Sequence, residues 1–410
     1  MNKLLNKYAK LAIQTGVNVQ KGQTLLIQAK AEHVEFVRLC VDEAYQAGAK
    51  EVIVKLNDDY ISKMHYVYQD VETLTDIPKW RVDEFEDYIT RDFCILNIYA
   101  PSPGILKDVD GEKIAAASKA SGEALKSYRE YMMANKGQWS LVSLPTKEWA
   151  TVVFPDLNEE EAQEKLLESI LYSVRINETD DPVSLWDEHN KKLHRQNEIL
   201  NKHNFKSIRF TNSLGTDIEV GLVENHIWAG GMETSGRGYT FNPNMPTEES
   251  FTMPDSQNVN GIVYSTKPLN YNGKLIDEFW LKFEDGKVVD YDAKKEKEAL
   301  QSLLETDEGS ARLGEIALIS HASPISDLDI LFYNTLFDEN ASCHMALGRA
   351  YPMNLKNGTE MDTETLKAHH ANDSILHEDF MFGSSCLQAE GITHDGQTVQ
   401  IIVDGNIRLD

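Results

Sequence analysis

Four cysteines (Cys40, Cys94, Cys343 and Cys386) stand singly in 410 residues, with no CxxC pair among them. That spacing argues against a zinc–thiolate site and against a disulfide scaffold, and it suits free thiols in a reducing cytoplasm. Long apolar runs are missing too: no stretch approaches the ~20 residues of a membrane span. The opening Met1-Asn2-Lys3-Leu4-Leu5-Asn6-Lys7 leads into a polar amphipathic pattern, without the apolar core and small-residue cleavage site of a secretory signal. A soluble cytoplasmic chain is the expectation. Cationic residues are scarce, 40 Lys and Arg against 66 Asp and Glu, for a formal net charge of -26. Such a surface repels phosphate backbones and anionic lipid head groups, so neither nucleic acid nor membrane is expected as a partner. Solubility explains the excess more simply than steering of a cationic substrate does. Common catalytic signatures are also absent: no P-loop, no GxSxG elbow, no HExxH helix. After the first expected strand, Gln28-Ala29-Lys30-Ala31-Glu32 lacks the glycines that let backbone approach a pyrophosphate, which leaves nucleotide use unsupported.

What is present is ordinary globular material, 41% hydrophobic and 26% charged, in a chain long enough for two domains. Leu4, Leu5, Tyr8, Leu11 and Ala12 recur at helical spacing ahead of Gly16. Thr24 to Gln28 reads as a buried strand, Val34 to Tyr45 as a helix ending near Gly48, and Val52-Ile53-Val54 as a second strand. This βαβ pattern predicts an α/β N-terminal domain with a largely parallel sheet, continued by strands at Phe93–Ile98 and Trp139–Val142 around a helical stretch from about Glu112 to Met133. Asn158 with Glu161 predicts the capped start of a long helix over Ala162 to Val174, and another helix is expected from Leu185 to Lys202.

Near residue 205 the pattern turns to alternation, with Ile208 and Phe210, then Ile218, Val220 and Leu222, around Asn212-Ser213-Leu214-Gly215. Hairpin signals follow at Asn272-Gly273, Asp285-Gly286 and Asp404-Gly405, while the polar run 354–374 reads as a loop. The expected division is an α/β domain over 1–205 and a β-rich α+β domain over 206–410.

The second half also holds the reactive groups. Thr247-Glu248-Glu249, Gly314-Glu315, Asp338-Glu339 through His344, and His377-Glu378-Asp379 supply carboxylate oxygen and imidazole nitrogen, which suit Zn²⁺, Co²⁺ or Mn²⁺. On a strand, His377 and Asp379 point to one face. Glu339 and His344, five apart, lie about 140° apart on an ideal helix and converge only if Glu339 sits before the helix or on other backbone. Spacing alone settles none of these. In so acidic a chain each has an ordinary alternative: Glu248-Glu249 as a solvated pair, Glu339 as a helix-start carboxylate, His377 as a surface histidine.

The segments Asn244-Met245-Pro246-Thr247-Glu248-Glu249-Ser250-Phe251-Thr252, Gly314 to Leu318, Glu339 to Gly348 and His377 to Gly383 resemble the metallopeptidases of the aminopeptidase T and aminopeptidase S type. The resemblance spans essentially the whole chain and places the metals in the second half. It implies ligands at Glu249, Glu315, Glu339, His344, His377 and Asp379, enough for two divalent ions with Glu315 a candidate bridge. It further implies removal of N-terminal residues from peptides with a free N-terminus, by water that the ions activate, and a homodimer. Glu248 is the weaker candidate for the general base, against a role in capping or solvating its segment. Tyr351, in Gly348-Arg349-Ala350-Tyr351-Pro352, is a candidate hydrogen-bond donor to the tetrahedral intermediate, against simple packing beside Pro352.

Two other readings compete. A metal-independent hydrolase using a carboxylate pair, such as a glycosidase, would survive chelation, and a peptide-binding protein would leave its peptides intact. His369, His370 and His394 read as ordinary polar-loop or turn residues, and Cys343 as a small core residue rather than an extra soft ligand.

Overall fold

The computed structural model describes residues 2–100, 102–272 and 274–409. The chain forms two compact units, Met1–Glu188 with Met232–Met245, and His189–Gly231 with Pro246–Asp410. The units part inside the helix Pro182–His203. The change of pattern at residue 205 follows the end of that helix instead, because a continuous helix carries no turn residues at the division.

The first unit is built on four parallel strands, β1 (Thr24–Lys30), β2 (Glu51–Asn57), β3 (Phe93–Tyr99) and β4 (Trp139–Ser143), in the order β2-β1-β3-β4. β1 and β3 are central and almost wholly buried, which is why they read as continuous apolar runs, whereas β2 lies at the edge and is largely exposed. The crossover helix Val34–Ala47 stops at Gly48, whose φ of 98° lets its N–H reach back to the carbonyls of Ala44 and Tyr45. Asn158 caps Glu159–Ser173 by accepting from the Glu161 N–H at 3.1 Å. The stretch expected as one helix to Met133 is two, Gly111–Ala124 and Lys126–Met133. Between β2 and β3 run three helices that sequence reasoning did not place. Two of them, Asp59–Tyr68 and Val71–Thr75, bury no residue; Tyr60, Ile61, Met64, Val67 and Tyr68 do recur at helical spacing in the first, a signal that sequence reasoning passed over.

The second unit holds a nine-stranded antiparallel sheet. Ser207–Thr211 and Asp217–Leu222 form its first hairpin, closed by the Asn212 carboxamide accepting from the N–H groups of Leu214 and Thr216. Asp285 and Gly286, with φ of 47° and 80°, turn Lys274–Glu284 into Lys287–Lys295, and Asp404-Gly405 does the same between Thr398–Val403 and Asn406–Ile407. Asn272 has the expected positive φ, while its partner in that signal, Gly273, lies outside the described residues. The run 354–374 is more ordered than a polar loop. It starts on the last residue of the turn Pro352–Asn354 and contains the turn Gly358–Glu360 and a helix, Thr363–Ala368, capped by Asp362.

A second sheet of this unit carries the chemistry. Its strands β5 (Ser250–Thr252), β6 (Leu313–Leu318), β7 (His344–Gly348) and β8 (His377–Met381) are antiparallel in the order β8-β7-β6-β5. One apolar core, including Phe210, Phe279, Phe283, Met345, Phe380 and Phe382, underlies both sheets. No helix among the described residues is long and apolar enough to cross a membrane.

Candidate metal centre

Strand register assembles the site. Glu315 on β6 lies opposite Ala346 on β7, which lies opposite Asp379 on β8, so the three side chains share one face of the sheet. By the two-residue alternation of strands, His344 joins Ala346 on that face and His377 joins Asp379. The middle of the row is a methyl group, and the space a larger side chain would occupy is left to the flanking carboxylates and imidazoles. Glu249 enters from the residue before β5, where its carbonyl packs so tightly that a Cβ at Gly230 (φ 132°) would lie 2.1 Å from it. Glu339 comes from the 3-10 turn Glu339–Ala341, after the short helix Thr335–Asp338. It opens that turn and lies on a different element from His344, which is how the two meet despite their five-residue spacing.

Ligand atoms of Glu249, Glu315 and His344 all lie within 4.8 Å of one another, as do those of Glu315, His377 and Asp379. Glu315 belongs to both groups. His344 Nε2 is 3.3 Å from Glu249 Oε2 and 3.4 Å from Glu315 Oε1, and His377 Nε2 is 3.4 Å from Asp379 Oδ1 and 3.8 Å from Glu315 Oε2. The other ring nitrogen of each histidine is committed. His344 Nδ1 donates to the carbonyl of Glu339 at 2.8 Å and His377 Nδ1 to that of Arg349 at 2.7 Å. This is the arrangement that holds an imidazole with its Nε2 lone pair turned toward a cation.

Charge makes the same point. Four carboxylates, Glu249 and Glu315 buried and Glu339 and Asp379 half-buried, face one another, and among the described residues no lysine or arginine pairs with them. Burial drives the Glu339 carboxyl well above the usual range, and Asp379 and Glu249 drive it further. Burial likewise raises Glu315, against the pull of His344 and His377. Burial works against a proton on His377, yet Asp379 and Glu315 lift it to about 10. His344 is lifted well above its ordinary value in the same way, by Glu249 and Glu315 against its burial. Asp379 falls, because the two imidazoles outweigh its burial. Glu315 Oε2 and Asp379 Oδ1 are buried without any hydrogen-bond donor, a costly state for carboxylate oxygen that a bound cation would relieve. The donor set, oxygen with imidazole nitrogen, fits a divalent ion of the Zn²⁺, Co²⁺ or Mn²⁺ kind.

The remaining sequence candidates lie at the margin. The Tyr351 ring packs on the His377 imidazole with centroids 4.6 Å apart and on Phe251 at 6.3 Å, and burial holds its hydroxyl protonated far above the usual range. Glu248 Oε2 stands 3.9 Å from His189 Nε2, and its backbone N–H donates to Asn340 Oδ1 at 2.8 Å. Beside the His377–Asp379 end opens a cavity of about 190 Å³, walled among others by Leu269, Tyr333, Asn334, Asp338, Glu339 and Glu378. Outside the centre, His370 pairs with Asp255 at 2.9 Å, and Cys343 is buried with its thiol on the Ile319 carbonyl at 3.2 Å, a core residue.

Sequence reasoning missed Ala346, Asn340 and His189. The first two sit inside the quoted Glu339–Gly348 segment, where strand alternation from His344 would have picked out Ala346. His189, on a long helix 58 residues before Thr247, whose carbonyl it meets at 2.7 Å, had no signal.

Comparison with known proteins agrees with this geometry. Aminopeptidase 2 of Geobacillus stearothermophilus is 46% identical over 404 residues, covering 98% of this chain and 97% of the relative. Aminopeptidase AmpS of Bacillus subtilis (strain 168) is 43% identical over 402 residues, covering 98% of each. The solved structure of wild-type AmpT from Thermus thermophilus superposes with a TM-score of 0.91 at 35% identity, over 99% of each chain. Residues 1–407 match the family described as thermophilic metalloprotease (M29), and the chain belongs to that family.

Proposed function

We infer that this chain is a metal-dependent aminopeptidase, an exopeptidase that hydrolyses the N-terminal bond of peptides. The observation that carries the reading is the pair of three-residue clusters sharing Glu315, in a chain of a metalloprotease family. The ligands in this reading are Glu249, Glu315, Glu339, His344, His377 and Asp379. Two divalent ions, rather than one, match the four carboxylate charges and give the shared Glu315 a bridging role; Zn²⁺, Co²⁺ and Mn²⁺ are the ions proposed. Bound there, such ions supply Lewis acidity toward a peptide carbonyl and make water a nucleophile near neutral pH.

The protein's own groups supply the rest. Glu248, beside the ligand Glu249, is the proposed proton acceptor, its segment steadied by His189 and Asn340. Tyr351, kept protonated, is placed against His377 to donate a hydrogen bond to the oxygen that becomes negative as the carbonyl turns tetrahedral. Tyr351→Phe is accordingly expected to lower kcat about 100-fold with little change in KM. A change in KM alone would reduce the tyrosine to a packing or binding group. A homodimer acting in the cytoplasm completes the proposal. The first of these rests on the family resemblance, the second on four free cysteines.

The test compares an unblocked tripeptide with its N-acetylated twin, using protein stripped of metal and then resupplied with Zn²⁺, Co²⁺ or Mn²⁺. Release of free amino acid from the unblocked peptide only, and only with metal, is the expected result. Activity that persists after stripping would favour the metal-independent hydrolase, and intact peptide under every metal would favour a binding protein.

A further inference from the structure

We propose that Asn340 is a positioning residue that locks the two carboxylate-bearing segments, Glu248-Glu249 and Glu339, into ligating geometry before any ion arrives. The proposal rests on the reading of Glu249 and Glu339 as metal ligands. Asn340 has no exposed surface, and its carboxamide is fully engaged. Oδ1 accepts from the Glu248 N–H at 2.8 Å, while Nδ2 donates to the Leu336 carbonyl at 3.1 Å and, more weakly, to Glu339 Oε1 at 3.4 Å.

These bonds join elements remote in sequence. Glu249 stands just before the three-residue strand β5, whose Ser250 pairs with Leu318 at the far end of β6 and whose Phe251 also bridges Ala229. Glu339 stands in a single 3-10 turn. Neither is held by the interior of a sheet, in contrast to Glu315, His344, His377 and Asp379. Carboxylates gathered in one place repel one another, and Glu249 and Glu339 are the two of the four that stand outside the strands. A carboxamide suits the tie because it presents an acceptor to one segment and a donor to the other without adding charge. The Glu339 carbonyl, by receiving the His344 Nδ1 proton, extends the tie to β7. Asn340 therefore acts on the metals through Glu249 and Glu339, and its contribution is preorganisation of the site.

The experiment measures the dissociation constants of Zn²⁺ and Mn²⁺ by chelator competition for stripped wild type, Asn340→Ala and Asn340→Asp. The melting temperature of each metal-free protein is read alongside. Asn340→Asp keeps the acceptor for the Glu248 N–H and the side-chain volume, but loses the donor, so it carries the test if the alanine variant does not fold. Both folded variants are expected to bind metal about 10- to 100-fold more weakly. A folded variant that holds both ions with wild-type affinity, whatever its melting temperature, would overturn the proposal. Wild type that binds neither ion would instead defeat the reading of the site itself.

Discussion

Glu315→Gln is expected to lose amino-acid release by at least about 100-fold in kcat/KM, since even partners outside the ligand set cost 10- to 100-fold when removed. The stripped variant should still melt at or above the temperature of stripped wild type. The two effects have opposite signs for one reason. Without an ion, Glu315 is a buried carboxylate among like charges, one of its oxygens lacking any donor; the amide relieves repulsion among four carboxylates that outnumber the two imidazoles facing them. With ions, the same carboxylate is the one group common to both clusters, and the amide cannot bridge them. Adding Zn²⁺ should therefore raise the melting temperature of wild type and leave that of the variant nearly unchanged. Turnover at the wild-type rate in Glu315→Gln would remove this residue from the centre.

Gly348→Ala should be strongly damaging for the addition of a single methyl group. Gly348 has a φ of 103°, a conformation that costs a side chain on the order of 1–3 kcal/mol. Its added Cβ would also lie 2.3 Å from the Leu376 carbonyl oxygen, and relieving that overlap by backbone movement costs about 1–3 kcal/mol more. A loss of roughly 3 kcal/mol, or ~10 °C in melting temperature, is expected. Gly348 pairs with His377 across β7 and β8, so whatever activity survives should need more metal to saturate. A variant with wild-type melting and metal requirement would show that the strand ends shift freely.

Much of this fold was legible because its buried elements have a period. β1 and β3 read as strands from their apolar runs, Gly48 and Asn158 as helix ends, and Asp285-Gly286 as a hairpin from the residues its backbone demands. Val71–Thr75, five residues long with none buried, is too short for periodicity to detect, whereas the helical spacing of Tyr60, Ile61, Met64, Val67 and Tyr68 was there to be read and was missed. For the site, alternation correctly put His377 and Asp379 on one face, but spacing could not unite Glu249 with residues up to 130 positions later. That convergence is a property of strand order, which pairs β5 with β6 and β6 with β7 across long connections. Resemblance to a family supplied the set of residues, and the register supplies the reason why they meet. Asn340 was invisible for a different reason. Its work is done by a neutral amide toward backbone atoms, and no spacing rule marks such a bond.

The scatter of the centre along the chain has a consequence for how the protein is made. Its groups run from Glu249 to Asp379, so a growing chain cannot close the site until its last ligand strand has emerged and docked on β7. Until then only the Glu249, Glu315 and His344 group can assemble, and docking of the last strand completes the group of Glu315, His377 and Asp379. Ion capture is thus a late event that seals the finished unit, and it rewards completion: an ion present at a hundred times its dissociation constant adds about 2.7 kcal/mol to the folded state alone. Cells short of the ion would hold this protein finished in sequence yet without that added stability.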